Sequence, residues 1–219
     1  MLFRSALGCE LVIAINVPDW GAMAAGQMLA CIADPFRDTA RVSAMAAAGL
    51  TLFSMDMIPR RLSRAQSMDV NSSQDNLAGY KAVLLGAAAV ACMIPMMMTS
   101  AGTVKPAKYV VMGAGVAGLQ AIATAKRLGA VVWASDVRLA AKEQIESLGG
   151  KFIAVEGMED FEDESGYAKP LTPEFIQKVN DTVCEVARDA DVVVTPARPL
   201  GRPAPDPDSA SARAPTQLG

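Results

Sequence analysis

Three glycines, Gly113, Gly115 and Gly118, stand in a G-x-G-x-x-G spacing directly after the apolar run Tyr109-Val110-Val111-Met112. In such a turn the first glycine allows a tight bend, the second lets backbone approach a pyrophosphate, and the third lets helix and strand pack closely. The phosphates would rest on the N-terminus of the following helix, where unpaired N–H groups and the macrodipole favour negative charge. Val116 and Ala117 complete this turn and are expected to line it. Asp136 lies eighteen positions beyond Gly118, at the end of a second apolar run, Val131-Val132-Trp133-Ala134-Ser135. An acid at that point accepts hydrogen bonds from ribose hydroxyls. Val137 and Arg138 follow it and are counted with the binding residues. The chemistry implied is dinucleotide binding. A carboxylate repels a 2′-phosphate, whereas an arginine nearby accommodates one; the acid comes first at the strand end, so NAD(H) is expected over NADP(H).

Elements able to hold these residues are legible on both sides. Leu119, Ile122, Ala123 and Leu128 recur at helical intervals after the turn. Leu139 to Leu148 reads as a helix stopped by Gly149-Gly150, Lys151 to Val155 as a short strand, Thr172 to Arg188 as a helix and Asp191 to Thr195 as a buried strand. Upstream, strands are expected at Glu10–Val17, Gln27–Ala33 and Leu50–Met57, with a helix from Asp34 to Ala48 capped by Asp34 and stopped by Gly49. Its Arg37 and Arg41 are expected on one solvent face. Such alternation implies parallel sheets. The polar stretch Arg60 to Asn76 reads as a loop, the apolar segment from Leu77 as a helix, and Ser100 to Pro106 as a linker. The expected fold is α/β: a Rossmann-like parallel-sheet domain (107–195) preceded by a partial second α/β domain (1–76) and a connecting helix and linker (77–106). Residues 196–219 have no hydrophobic period and are expected to be a disordered tail.

Composition narrows the chemistry further. At 219 residues, with 52% hydrophobic content, the chain can bury a core. A net charge of −3 and a pI near 5.1 argue against nucleic acid as a partner. Cys9, Cys31, Cys92 and Cys184 are scattered and histidine is absent, so no metal site is expected and the thiols read as buried in a reducing cytoplasm. Without histidine, any hydride chemistry must be carried largely by the cofactor. Ala82 to Met98 is apolar over seventeen residues, but Pro95 interrupts it, and its small residues suit close helix packing better than a membrane span.

A more specific pattern is Arg61-Leu62-Ser63-Arg64-Ala65-Gln66-Ser67-Met68-Asp69, continued by Ser72-Ser73 and Asn76-Leu77-Ala78-Gly79-Tyr80. With Pro95–Thr99, the glycine turn, Gln120–Ala130, Lys142-Glu143-Gln144 and Gly166-Tyr167-Ala168-Lys169, it resembles the NAD(H)-binding α subunit of proton-translocating nicotinamide nucleotide transhydrogenase, over roughly Glu10 to Thr195. Alanine dehydrogenase shares the two-domain fold but is not similar in this loop. The resemblance implies that Arg61, Gln66, Asp69 and Ser72 lie against the nicotinamide end of NAD(H), with Arg61, Gln66 and Asp69 closest to the chemistry. Because this chain has one arginine more than the usual spacing, Arg60 competes with Arg61 for the first role. It also implies that Gly166 and Tyr167 sit on a flap that closes over the nucleotide and excludes water.

The activity so implied is direct hydride transfer between NADH on this chain and NADP⁺ on a partner domain, coupled to proton translocation by a membrane subunit. The expected partners are those NADP-binding and membrane subunits and a second copy in a homodimer, with the chain cytoplasmic and peripheral at the inner membrane face. Two other readings compete: an alanine-dehydrogenase-like NAD-dependent oxidoreductase, and a non-catalytic truncated fragment. Relative to the family pattern, opening strands are missing before Glu10. After Thr195 the pattern stops, and a slip of reading frame is expected there.

Overall fold

The computed structural model describes residues 8–59, 62–155, 157 and 172–196, which fall into two compact units divided between Ser73 and Gln74. The expected acidic loop at Glu156–Tyr167 and the tail lie almost wholly outside the described residues.

The first unit holds β1 (Leu11–Asn16), β2 (Met28–Ile32) and β3 (Thr51–Ser54) as one parallel sheet in that order. Period-two alternation sorts their side chains. Val12, Leu29 and Cys31 are buried with Met45 of α1 (Thr39–Ala47). Leu11, Ile13 and Ile15 point the other way, and Ile13 and Ile15 are each 77% exposed; Phe53, paired across Ala30 with Ile13, is exposed too. This sheet is therefore covered on one face only, unusual for parallel strands.

Asp38, not Asp34, caps α1, its carboxylate accepting from Arg41 N at 2.9 Å. Asp34 instead has φ +45° and starts a turn in which its carbonyl accepts from the Arg37 and Asp38 amides, so the helix begins a turn later than expected. Arg41 leaves the solvent face as well: its Nη2 donates to the Ala33 carbonyl at 2.6 Å. Gly49, at φ +77°, ends the helix as expected.

In the second unit, β6 (Lys108–Met112), β7 (Val131–Ser135), β8 (Lys151–Phe152) and β9 (Val192–Val194) form a parallel sheet in the order β8-β7-β6-β9. Central β6 is apolar on both sides. Tyr109 and Val111 pack with Val83 of α2 (Val70–Ala89), Ala121 and Ile122 of α3 (Val116–Arg127) and Ile145 of α4 (Ala141–Ser147). Val110 packs on the opposite face with Val179, Val183 and Val186 of α5 (Pro173–Ala187), which recur at helical spacing. Helices thus lie on both faces of this sheet.

Two expectations are corrected here. Helix α2 starts at Val70 within the supposed polar loop, because Asp69 supplies a cap that outweighs the weak apolar periodicity of its first turns. The supposed linker is a hairpin of β4 (Met97–Thr99) and β5 (Gly102–Val104), turned through Gly102 at φ +129°. Among the described residues, no helix is long and apolar enough to cross a membrane.

Candidate functional site

The sheet order places a reversal at β6: β7 follows on one side and β9 on the other. In open α/β sheets ligands bind at the carboxyl ends of the strands at such a switch point. The glycine turn stands there. Gly113 has φ +111°, a conformation side-chain-bearing residues rarely adopt, and its N–H donates to the Ser135 carbonyl at 2.7 Å, tying the turn to β7. Gly115 precedes α3 in extended conformation and caps it with no side chain. The first amides of α3 therefore face a space that no capping group fills. A Cβ built on Gly115 would meet nothing within 4 Å, whereas one on Gly118 would run into the carbonyl of Gly113, whose carbon is 2.8 Å away. An open side at the second glycine and a closed one at the third fit a pyrophosphate lying over the helix start. Val116 is half-buried beside it and Ala117 is buried.

Asp136 follows β7 and reaches back to this turn. Its Oδ2 accepts from Ala114 N at 2.7 Å and from Arg138 Nη2 at 3.0 Å; its Oδ1 accepts from Arg138 N and Arg138 Nε, each at 2.9 Å. Burial by itself would push the carboxyl's pKa up, but the hydrogen bonds from the Arg138 side chain and from the Arg138 and Ala114 amides outweigh it and hold the pKa below its usual range. The carboxylate is thus kept charged and aimed at the strand end. Val137, between the two, is half-buried.

The loop residues lie in the first unit. Gln66 opens an exposed 3₁₀ turn, Gln66–Met68. Asp69 follows and binds Ser72 twice: Oδ1 accepts from Ser72 N at 2.9 Å and Oδ2 from Ser72 Oγ at 2.6 Å. Asp69 and Ser72 are therefore brought together as the N-cap and third residue of α2. Arg61, its competitor Arg60, and the flap residues Gly166 and Tyr167 lie outside the described residues.

Sequence reasoning missed two contributors. Gly79 of α2 lies so close to the start of α3 that a Cβ there would run into the carbonyl of Ala117, whose carbon would stand 2.8 Å away. Gly86, two turns on, packs against Val192 in the same way. Their seven-residue spacing, within a run of alanines, was the available signal. Together α2, the start of α3 and the end of β9 line an open cleft of ≈ 500 Å³ beside the glycine turn. The second omission is Asp56, buried behind the first sheet, where it accepts from Ala33 N at 3.0 Å, Asp34 N at 2.9 Å and Ser54 Oγ at 2.7 Å. It holds the turn after β2 in place of the expected Asp34 cap. The thiols also differ from expectation: Cys31 is buried and Cys184 half-buried, but Cys9 and Cys92 are exposed. Among the described residues no group of acids and thiols is arranged to hold a metal.

Sheet order, glycine turn and strand-end acid define a doubly wound dinucleotide-binding protein. The chain belongs to the alanine dehydrogenase/PNT family: the profile of that family's N-terminal domain matches residues 4–78 and that of its C-terminal domain residues 82–206. It is 52% identical over 182 residues to the first of the polypeptides that make up the NAD(P) transhydrogenase alpha subunit of Rhodospirillum rubrum, covering 82% of this chain and 47% of that one. It is 43% identical over 180 residues to the corresponding polypeptide of Rickettsia prowazekii, again with 82% and 47% covered. The chain thus spans about half the length of the curated relatives it matches. Among solved structures, the transhydrogenase from Sinorhizobium meliloti superposes with a TM-score of 0.79 at 48% identity, over 92% of this chain and 55% of that one. An L-alanine dehydrogenase superposes at 0.61 with 19% identity, over 87% and 48%, and so shares the fold. The alanine dehydrogenase reading is the more distant of the two.

Proposed function

We propose that this chain is the NAD(H)-binding component of a proton-translocating transhydrogenase, taking NAD(H) at the glycine turn and presenting it for hydride exchange with NADP(H) on a partner domain. The observation that carries the reading is the open side of Gly115 beside the charged Asp136, in a chain half identical to transhydrogenase α subunits. When bound, the dinucleotide supplies the hydride chemistry itself.

The chain's own residues bind and orient. The α3 amides and Gly115 take the pyrophosphate, with Val116, Ala117 and Val137 packing around it, and Asp136 accepts from the ribose. Gln66 and Ser72 orient the nicotinamide carboxamide by amide and hydroxyl hydrogen bonds, and Asp69 holds Ser72 in place while Arg61 or Arg60 supplies a cation without donating a proton. Gly166 and Tyr167 close over the site to exclude water. A chain without histidine suits such a role, in which no side chain acts as acid or base. The NADP-binding and membrane subunits are the partners, a second copy completes a homodimer, and the chain sits peripherally on the cytoplasmic membrane face through them.

Calorimetric titration with NADH and NADPH tests the binding step. NADH is expected to bind more tightly; no heat from either, or tighter NADPH, overturns the reading. Mixing the chain with the remaining Rhodospirillum rubrum subunits tests the reaction, through reduction of an NADP⁺ analogue by NADH. Pyruvate- and ammonia-dependent NADH oxidation without partners would instead establish the alanine dehydrogenase alternative.

A further inference from the structure

We propose that Arg138 is held in reserve by Asp136, and that this pairing, rather than the acid's charge alone, keeps a 2′-phosphated nucleotide from the site. The inference rests on the NAD(H) reading above and deepens it. Each Asp136 oxygen already accepts two hydrogen bonds, and three of the four come from Arg138. A carboxylate has about four lone-pair positions, so this one is saturated. The pair is sheltered, with side-chain exposures of 22% for Arg138 and 8% for Asp136. It is also local. The bond from Arg138 N to Oδ1 closes a turn that aims the arginine side chain back at the acid, and Nη2 lies 3.3 Å from the Ala114 carbonyl.

Two consequences follow for a dinucleotide. Ribose hydroxyls are donors, so they can take over acceptor positions on Asp136 as the guanidinium gives them up, at little electrostatic cost. A 2′-phosphate brings acceptors only. It repels Asp136 and finds the one arginine beside the site already engaged through Nε and Nη2, the face a phosphate would use for two-point contact. If Asp136 loses its charge, the same guanidinium becomes available to the phosphate. Simple repulsion makes a different forecast, because it relieves NADPH binding with or without Arg138.

The test is a double-mutant cycle on the full chain, reading the Kd values of NADH and NADPH by calorimetry for wild type, Asp136→Asn, Arg138→Met and the double variant. Asp136→Asn is expected to tighten NADPH about tenfold, the scale of one charge-assisted hydrogen bond, and the double variant to lose that gain. Arg138→Met alone should leave NADPH within about threefold of wild type, since the arginine does not serve the phosphate while Asp136 holds it. A gain that survives in the double variant overturns the proposal in favour of repulsion alone. So does a tenfold loss of NADPH affinity in Arg138→Met, which decides the matter even if Asp136→Asn does not fold. Wild-type chain that binds neither nucleotide overturns the proposed function and this inference together, whereas normal NADH binding with an additive cycle overturns only the inference.

Discussion

Substituting alanine at the second and third glycines of the turn should separate binding from folding. At Gly118 a Cβ would press on the Gly113 carbonyl, with its carbon at 2.8 Å and its oxygen nearer still, where real Cβ atoms keep at least 3.0 Å. The obstacle is backbone and cannot rotate aside. Overpacking of this kind costs about 3 kcal/mol, at the upper end of its range, and alanine's better helix propensity returns about 1 kcal/mol. The expected net loss is about 2 kcal/mol. At Gly115 nothing stands within 4 Å, and φ is −71°, which alanine adopts without strain. Stability should hold or rise by about 0.5 kcal/mol through the unfolded chain. A methyl group there nevertheless occupies the space assigned to the pyrophosphate, so NADH affinity should fall at least about tenfold. Urea unfolding followed by tryptophan fluorescence, with calorimetric NADH titration of each variant, reads both quantities. Wild-type NADH affinity in Gly115→Ala would refute the seating of the pyrophosphate on α3. Undiminished stability in Gly118→Ala would refute the close packing of turn and helix.

Three further outcomes follow from the described geometry. Both Asp56 and Asp136 have carboxyl pKa values held below the usual 3.8; burial opposes the shift, and the hydrogen bonds from Ser54, Ala33 and Asp34, or from Arg138 and Ala114, outweigh it. Their stabilisation is therefore fully present above about pH 4 and is lost as pH falls through the lowered values, so melting temperature should drop below pH 4 and drop less steeply in Asp56→Asn. A slope unchanged by that substitution would show that Asp56 does not stabilise the first unit. Asp38→Ala removes the acceptor of the Arg41 amide and should cost about 1 kcal/mol, read by chemical unfolding, with Asp38→Ser restoring most of it. Ile13→Lys with Ile15→Lys, on the uncovered face of the first sheet, should raise the soluble yield and lower binding of a hydrophobic dye while leaving the melting temperature within about 2 °C. A collapse of the melt would mean that this face is packed in solution.

Much of the nucleotide domain was legible because its residues carry their reasons locally. Gly113 needs a positive φ, Gly118 needs to lack a Cβ, and β6 needs an unbroken apolar run because it is buried on both faces; each requirement leaves one residue type at one place. Periodicity likewise revealed α5, whose valines recur on one face. Elements defined by polar contacts were read less well. The start of α2 was hidden because its signal is Asp69 bonding Ser72, a cap whose sequence also suits a loop. The Asp34 cap was misplaced because Asp-Pro suits both a turn and a helix start, and the choice fell to Asp56, twenty-two residues away.

The chain's residue types thus determined by themselves that a strand–turn–helix would seat a pyrophosphate, that an acid would stand at the next strand end, and that histidine chemistry was excluded. Only tertiary structure decided what that acid does before a ligand arrives. Asp136 and Arg138 are two residues apart in any conformation, yet their pairing depends on β7 delivering them beside the Ala114 amide and into partial burial. Likewise only packing disclosed that Gly79, thirty-eight residues before Ala117, lets α2 close on the start of α3. Local sequence records what a backbone must be able to do; which distant group it then meets is settled by how strands order and helices pack.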